Sequence, residues 1–373
     1  MAISGEGERA TSSVDGDQQP VEFFSTIFIP RISSRHAMII PSPKLPTQGS
    51  FENDHELFAT EVSPTTQPGQ KFLLIQTNNM ASTTSTTTPS QTQASGEKKD
   101  TFFEDVHFLG DKDGHIVIRS PPIFTDKLDE RKYQKQHLAA AFRVFAKQGF
   151  DEGVAGHISL RDPINPDHFW INPLSKHFSQ IRVSDLVLVN ESGTVLPSGS
   201  QQPINGPAFA IHSEIHKARP DLNAACHAHS VHGKAFSCFG RPLEMLYQDA
   251  LRFYNDLAVY PRYGGTVLTR EEGARIAQAL GPTCRSVILQ NHGMITCGRT
   301  VDEAAFLFVA LDRCCHAQIM ANAAAACPGW EKRFIGREEA ELTHRKSGNS
   351  SKMWLAFQPY YDQVVEEDPG VLE

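Results

Sequence analysis

Two histidines, His227 and His229, directly follow an apolar run at residues 222–226 that predicts a buried strand. Because side chains alternate between the faces of a strand, residues two apart point the same way, so the pair should project together from the strand's end. A third histidine, His292, follows a similar apolar run at residues 286–290 and precedes a turn-forming glycine. Three imidazoles suit zinc or another late first-row divalent ion and leave a position open for water or substrate.

A single histidine in an apolar run is more often a hydrogen-bonded core residue than a ligand. The spacing of the pair and the matching context of the third histidine favour a metal instead. We therefore predict a metal site whose ligands are His227, His229 and His292.

The first 100 residues differ in composition from the rest of the chain. Residues 63–99 are rich in Ser, Thr, Gln and Pro, and such a segment buries too little apolar surface to offset its ordering entropy. We predict that residues 1–100 are a disordered or low-complexity extension.

Acidic residues within the first twenty positions are unlike a signal or transit peptide. Met80 resembles an ordinary translation start, so residues 1–79 are hypothesised to be a mis-assigned or alternative start.

Charge and cysteine content limit the partners and the compartment. The net charge of −8 gives no general attraction to nucleic acid or to an anionic membrane. The seven cysteines are odd in number, lie in apolar segments and form no Cys-x-x-Cys pair. They are typical of reduced core thiols, which predicts a cytoplasmic protein.

From about residue 101 the pattern alternates between strands and helices, which indicates a single α/β domain. Predicted helices cover residues 127–148, 207–218, 231–239, 270–280 and 301–326. Predicted strands cover residues 154–161, 169–172, 185–190, 194–197, 222–226, 257–260, 266–268, 286–290 and 294–297. The C-terminal tail, residues 331–373, carries a short predicted helix at 337–345 and an aromatic run at 353–361. We expect it to pack on the domain or on a neighbouring subunit.

Four motifs together resemble the class II aldolase/adducin family, which includes fuculose phosphate aldolase, ribulose phosphate 4-epimerase and the adducin head domain. They are GVAGHISLRDP at 153–163, INPLS at 171–175, ARPDLNAACHAHS at 218–230 and LQNHGMITCG at 289–298. The resemblance spans residues 125–330 and is strongest to a fungal subgroup. It implies a three-layer αβα sandwich around a mostly antiparallel sheet. It also implies a ring-shaped homotetramer with active sites between subunits. The implied ligands of Zn²⁺ are His227, His229 and His292, with Fe²⁺ or another divalent metal as the alternative.

Two departures from the family pattern bear on the substrate. The acid/base glutamate of the sugar phosphate aldolases falls at Ala208, and Glu214, six residues on, is expected to face elsewhere and to be solvated. The family's phosphate-binding positions carry residues that have lost most of the donors a phosphate needs, namely His157, Leu174, Ser175, Gly206 and Pro207. A sugar phosphate substrate is therefore not expected.

Four residues are candidates for the missing proton transfer: His157, Tyr247, Asp249 and Tyr254. Tyr247 lies near the position of the aldolases' catalytic tyrosine, and Asp249 could instead orient a metal-bound histidine. Each also has an ordinary structural explanation, as a loop or core residue.

The expected function is that of a metal-dependent lyase acting on a small unphosphorylated hydroxy- or oxo-carbonyl compound through a metal-stabilised enediolate. One alternative is a non-catalytic, adducin-like oligomerising module with actin partners. Adducin lacks the metal histidines, which argues against it. The other alternative is an iron-dependent oxygenase on the same scaffold, and only the identity of the metal separates it from the lyase.

Overall fold

The computed structural model describes residues 108–113, 115–267 and 269–373. Predictions for residues 1–79 and for the low-complexity extension lie outside the described residues. The helices are α1 Lys127–Lys147, α2 Gly206–Ala218, α3 Val231–Ser237, α4 Arg270–Leu280, α5 Val301–Ala324, α6 Arg337–Ser347 and α7 Ser350–Glu367. The strands are β1 His157–Arg161, β2 His168–Ile171, β3 Val187–Asn190, β4 Ala224–Ala228, β5 Leu257–Tyr260, β6 Ser286–Leu289 and β7 Gly293–Gly298.

The strands form one sheet in the order β3-β2-β1-β4-β7-β6-β5. Every neighbouring pair is antiparallel except β5 with β6. In the register of the central strands, His157 of β1 lies opposite His227 of β4, and Ala228 of β4 lies opposite Met294 of β7. The sheet is therefore mostly antiparallel, as expected.

Alternating side chains of the central strands enter two separate cores. Cys226 and Met294 face a large core shared with α1, α5 and α7, whereas their neighbours Ala225 and Ile295 face a smaller core built with α2 and α4. Helices thus cover both faces of the sheet, which confirms the three-layer αβα sandwich. We call the side that carries α2 and α4 the α2 face.

The helix α5 is long and apolar enough to cross a membrane by length and composition, with a mean hydropathy of 1.3. However, 61% of that window is buried within the fold. The helix packs against α1, α3, α7, β4 and β7, and its buried Glu303 pairs with Arg285 at 2.6 Å. It is the central helix of its layer.

The strand predicted at 154–161 begins only at His157, because Gly153 and Gly156 adopt positive φ and form a loop. The segment 194–197 forms a single bridge between Val189 and Val195, since the side chain of Asn190 binds the turn that precedes it. Residues 266 and 267 are not a strand, and residue 268 lies outside the described part.

The aromatic run of the C-terminal tail forms part of α7, which packs on α1 and α5 of its own chain. Its Trp354 and Phe357 are fully buried. Tyr361 of the same helix stacks on His137 with ring centres 4.0 Å apart.

Candidate metal site

The structure brings His227, His229 and His292 together at one edge of the sheet. Their possible ligand atoms all lie within 4.8 Å of one another. His227 is the penultimate residue of β4, His229 directly follows the strand, and His292 lies in the turn between β6 and β7. Because β4 and β7 run antiparallel, the end of β4 and the start of β7 meet at the same edge.

The turn between β6 and β7 depends on two residues with unusual backbone angles. Asn291 adopts φ 59°, a left-handed conformation that asparagine tolerates better than most residues. Gly293 adopts φ 156°, where a Cβ would meet the His227 Cε1 at 3.7 Å and the Ala228 carbonyl oxygen at 3.5 Å. The sequence Asn-His-Gly thus allows His292 to approach the end of β4 closely.

The three imidazoles have the protonation state that metal ligands need. Burial, followed by the neighbouring His292 and His229, holds the pKa of His227 well below its ordinary value. Burial also lowers the pKa of His229, and it lowers that of His292 to about 4. Neutral rings keep a free nitrogen lone pair at neutral pH.

His227 is also oriented by the backbone. Its Nδ1 donates a hydrogen bond of 2.9 Å to the carbonyl oxygen of Met294, which leaves Nε2 as the coordinating atom. A carbonyl thus fills the orienting role that the sequence suggested for Asp249. Three neutral imidazoles, one of them in a fixed tautomer, fit a divalent ion, and the donor set suits zinc or iron.

His157 lies beside this cluster, as its place in the sequence suggested. Its ring centre is 4.9 Å from that of His227, and only 4% of its surface is exposed. Its Nδ1 lies 2.8 Å from the Nε2 of His212 on α2.

Two of the other three candidates, Tyr247 and Asp249, have partners elsewhere within their own chain. The Tyr247 hydroxyl donates to the Cys314 carbonyl oxygen at 2.7 Å, and burial is the main cause that raises its pKa. Asp249 is largely exposed and pairs with Arg252 at 2.8 Å. Tyr254 ends the short 3₁₀ helix at residues 248–253. Any catalytic role for these three stays a prediction.

The structure places both α2 positions that the sequence singled out. Ala208, at the position of the family's glutamate, is fully buried in an apolar cluster with Phe169, Ile171, Val187 and Val189. Glu214 was expected to be a solvated surface residue, but its side chain is only 14% exposed and lies 4.0 Å from the Lys217 ammonium group. Ala208 is buried because α2 packs against β2 and β3 at this position. Glu214 is partly buried because α2 also packs against α4.

Sequence reasoning missed His212 and His216, although a signal was present. Positions 208, 212 and 216 are four apart and therefore share one face of α2. That face meets β1, where Ser159 lies within hydrogen-bond reach of both histidines.

The sequence analysis also missed Glu152 and Lys234, which pair with each other near His229. No sequence pattern links these two residues.

Two cavities differ in their position relative to the three-histidine cluster. A cavity of about 360 Å³ is lined by Asn223, Arg299, His137 and Asp302 among others. It lies where β4 begins and β7 ends, at the opposite edge of the sheet from the three histidines. A narrow cavity beside His292 is lined by Arg262 and other residues of the segment after β5.

The chain matches the Class II Aldolase and Adducin N-terminal domain over residues 136–319. Decarboxylase NovR of Streptomyces niveus is 40% identical over 70% of this chain and 95% of its own length. The 4-hydroxy-3-prenylphenylpyruvate oxygenase/4-hydroxy-3-prenylbenzoate synthase of Streptomyces roseochromogenus subsp. oscitans is 40% identical over 70% of this chain and 93% of its own length.

A solved structure, the L-fuculose 1-phosphate aldolase from Glaciozyma antarctica PI12, is similar in both sequence and fold. It is 39% identical with a TM-score of 0.62, and the match covers 68% of this chain and 96% of that one. With nearly the whole length of these relatives matched, the chain belongs to the class II aldolase/adducin family.

Proposed function

We propose that this protein is a metal-dependent enzyme that cleaves a carbon–carbon bond next to the carbonyl group of a small unphosphorylated 2-oxo or 2-hydroxy acid. The observation that carries the proposal is the cluster of three neutral histidines whose donor atoms lie within 4.8 Å of one another. The protein's relatives include one named a decarboxylase, which supports chemistry at such a bond.

His227, His229 and His292 would hold the metal. When bound, a divalent ion there would supply an electrophile that polarises a carbonyl oxygen. The chain's own contribution is to keep the three rings neutral by burial and to fix the His227 ring through the Met294 carbonyl.

We propose a substrate without a phosphate group because His157 and Leu174 stand at two of the family's phosphate-binding positions. At this position a family member that binds phosphate presents an amide donor, whereas the Nδ1 of His157 is engaged with the buried His212. Leu174 supplies no side-chain donor at a second phosphate position. Two of the donors that a phosphate requires are therefore missing.

A carboxylate is the proposed anionic group of the substrate because Arg262 lies beside His292. Both residues line the narrow cavity at this edge, and Arg262 is exposed. A guanidinium group binds a carboxylate through paired hydrogen bonds. Replacing Arg262 with Leu should therefore raise KM for an acid substrate more than it lowers kcat.

The test is turnover by the zinc-loaded protein on a panel of 2-oxo acids, 2-hydroxy acids and hydroxyketones, followed by chromatography of the products. We expect carbon–carbon cleavage of an unphosphorylated acid and no cleavage of L-fuculose 1-phosphate. Cleavage of L-fuculose 1-phosphate, the compound named for the similar solved structure, would contradict the proposal.

A second candidate is oxygen-dependent cleavage with iron at the same histidines. Its support is the relative named an oxygenase of a phenylpyruvate, which is a 2-oxo acid. The same panel, repeated with iron-loaded protein with and without oxygen, separates the two. Turnover only with iron and oxygen would select the second candidate, whereas turnover with zinc in the absence of oxygen would select the first.

A further inference from the structure

Four buried side chains form one continuous run of hydrogen bonds on the α2 face. His157 Nδ1 lies 2.8 Å from His212 Nε2, and His212 Nδ1 lies 2.7 Å from the Ser159 hydroxyl. That hydroxyl lies 2.8 Å from His216 Nε2, and His216 Nδ1 lies 3.3 Å from the Leu222 carbonyl oxygen. We call His157, Ser159, His212 and His216 the histidine–serine chain; each is at most 4% exposed.

The Leu222 carbonyl fixes the direction of every bond in the histidine–serine chain, because a carbonyl oxygen can only accept. His216 must therefore carry its proton on Nδ1, so its Nε2 accepts from the hydroxyl of Ser159. The Ser159 oxygen then accepts from the Nδ1 proton of His212.

The same reasoning extends to the end of the chain near the metal site. The Nε2 of His212 has no proton, so it accepts from the Nδ1 of His157. The reverse arrangement would leave two lone pairs facing each other at Leu222. One tautomer thus follows for each ring when it is neutral, and the Nε2 of a neutral His157 has no proton.

Burial keeps the three rings neutral. It is the main cause that lowers the pKa of His216 well below the ordinary value, and it lowers the pKa of His212 to about 3. The His157 ring is buried with them and is only 4% exposed. The nearby guanidinium of Arg161 further disfavours a proton on His216. A neutral ring in a fixed tautomer offers one donor and one acceptor.

The sheet places His157 beside the site. His157 lies directly opposite His227 in the antiparallel register, so both side chains project from the same face. Among the described residues, the cluster of ligand atoms within 4.8 Å of one another consists of His227, His229 and His292. His157 does not belong to it. His157 is therefore placed beside the metal site rather than in it.

We infer that Ser159, His212 and His216 are positioning residues that hold His157 in its Nδ1-protonated tautomer, so that His157 Nε2 accepts a hydrogen bond from a hydroxyl group of the substrate. The inference rests on the proposed function for the place of the substrate. It adds a preference: a hydroxy acid should bind better than the same acid without its hydroxyl group.

The tautomer is tested by nitrogen NMR of protein labelled with ¹⁵N-histidine, in the metal-free and zinc-loaded forms. A His157→Gln variant assigns the signals. We expect His157 to be protonated on Nδ1 and bare on Nε2 in the wild type. In Ser159→Ala, which interrupts the chain, the Nε2-protonated tautomer should become populated.

The matched control is Ser213→Ala, because Ser213 is a buried serine of α2 whose hydroxyl has no hydrogen-bond partner. It should leave the His157 signals unchanged. A wild-type His157 protonated on Nε2 would overturn the inference without any variant. A Ser159→Ala spectrum identical to the wild type would overturn the positioning role.

Binding is tested by calorimetry of zinc-loaded protein with glycolate and with acetate, two carboxylates that differ by one hydroxyl. Loss of one hydrogen bond, about 1 kcal/mol, should weaken glycolate binding by about five- to tenfold in Ser159→Ala. Acetate binding should not change. Equal losses for both ligands, or none for either, would overturn the acceptor role. A protein that takes up neither zinc nor iron would refute the proposed function instead, and the nitrogen spectrum would still decide the tautomer.

Discussion

The buried histidines of α2 should make the stability of the fold fall steeply in mild acid. His212 and His216 are each at most 2% exposed, and burial lowers the pKa of both in the folded protein, to about 3 for His212. In the unfolded chain a histidine has a pKa of about 6.5. Between these two values the unfolded chain binds more protons than the folded protein, so unfolding becomes easier as the pH falls.

The magnitude follows from this difference. Between pH 7.5 and pH 5.5, a histidine that is protonated only when unfolded lowers the free energy of unfolding by about 1.4 kcal/mol. His212 and His216 together should account for about 3 kcal/mol, a large share of the roughly 5–15 kcal/mol that stabilises a typical protein.

The assay is urea unfolding of metal-free protein at both pH values and at one fixed protein concentration. A His216→Gln variant should lose about 1.4 kcal/mol less than the wild type between the two pH values, whatever its stability at pH 7.5. His115→Gln is the matched control, because the side chain of His115 is 80% exposed. If His216→Gln and the wild type lost the same free energy, the premise that His216 stays neutral in the fold would be wrong.

Three further predictions concern packing and the metal site. Phe308→Ala should cost about 3–5 kcal/mol in urea unfolding at pH 7.5, because the ring is fully buried against Phe145 and Phe150. Gly156→Ala should weaken zinc binding in a competition titration and cost about 1–3 kcal/mol of stability. Its φ is +97°, and a Cβ would lie 3.3 Å from the His227 carbonyl oxygen; unchanged zinc affinity would contradict this. Asp249→Asn should leave the metal content unchanged in elemental analysis, because Asp249 pairs with Arg252, and a loss of metal would restore the orienting role first suggested for it.

Much of the fold follows from local sequence patterns. Helices α1, α2 and α4 and strand β5 have nearly the predicted bounds, because an apolar periodicity and clear end signals coincide there. The approach of His227, His229 and His292 was also predictable. Side-chain alternation along a strand and a turn after a second strand are both local properties, and the antiparallel pairing of β4 with β7 completes the cluster.

Long-range packing explains what the sequence did not predict. Whether Ala208 faces the site or an apolar cluster depends on how α2 lies across β2 and β3, which no local pattern specifies. The link between Ser159 and His212 joins residues 53 positions apart. This contact depends on the register of β1 against β4 and on the rotation of α2 about its axis, which the sequence does not specify. The spacing of His212 and His216 on one helix face, in contrast, could have been recognised from the sequence.

The central claim is that His227, His229 and His292 bind a divalent metal. Plasma mass spectrometry of protein purified without chelators tests it, beside a His227→Ala/His229→Ala double variant and the control His177→Ala, which alters a histidine with a 47% exposed side chain. We predict about one zinc or iron per chain in the wild type and the control, as expected for one site with three protein ligands, and loss of that metal in the double variant. A folded wild type without metal, or a double variant that retains it, would contradict the account, and the first result would favour an adducin-like binding role.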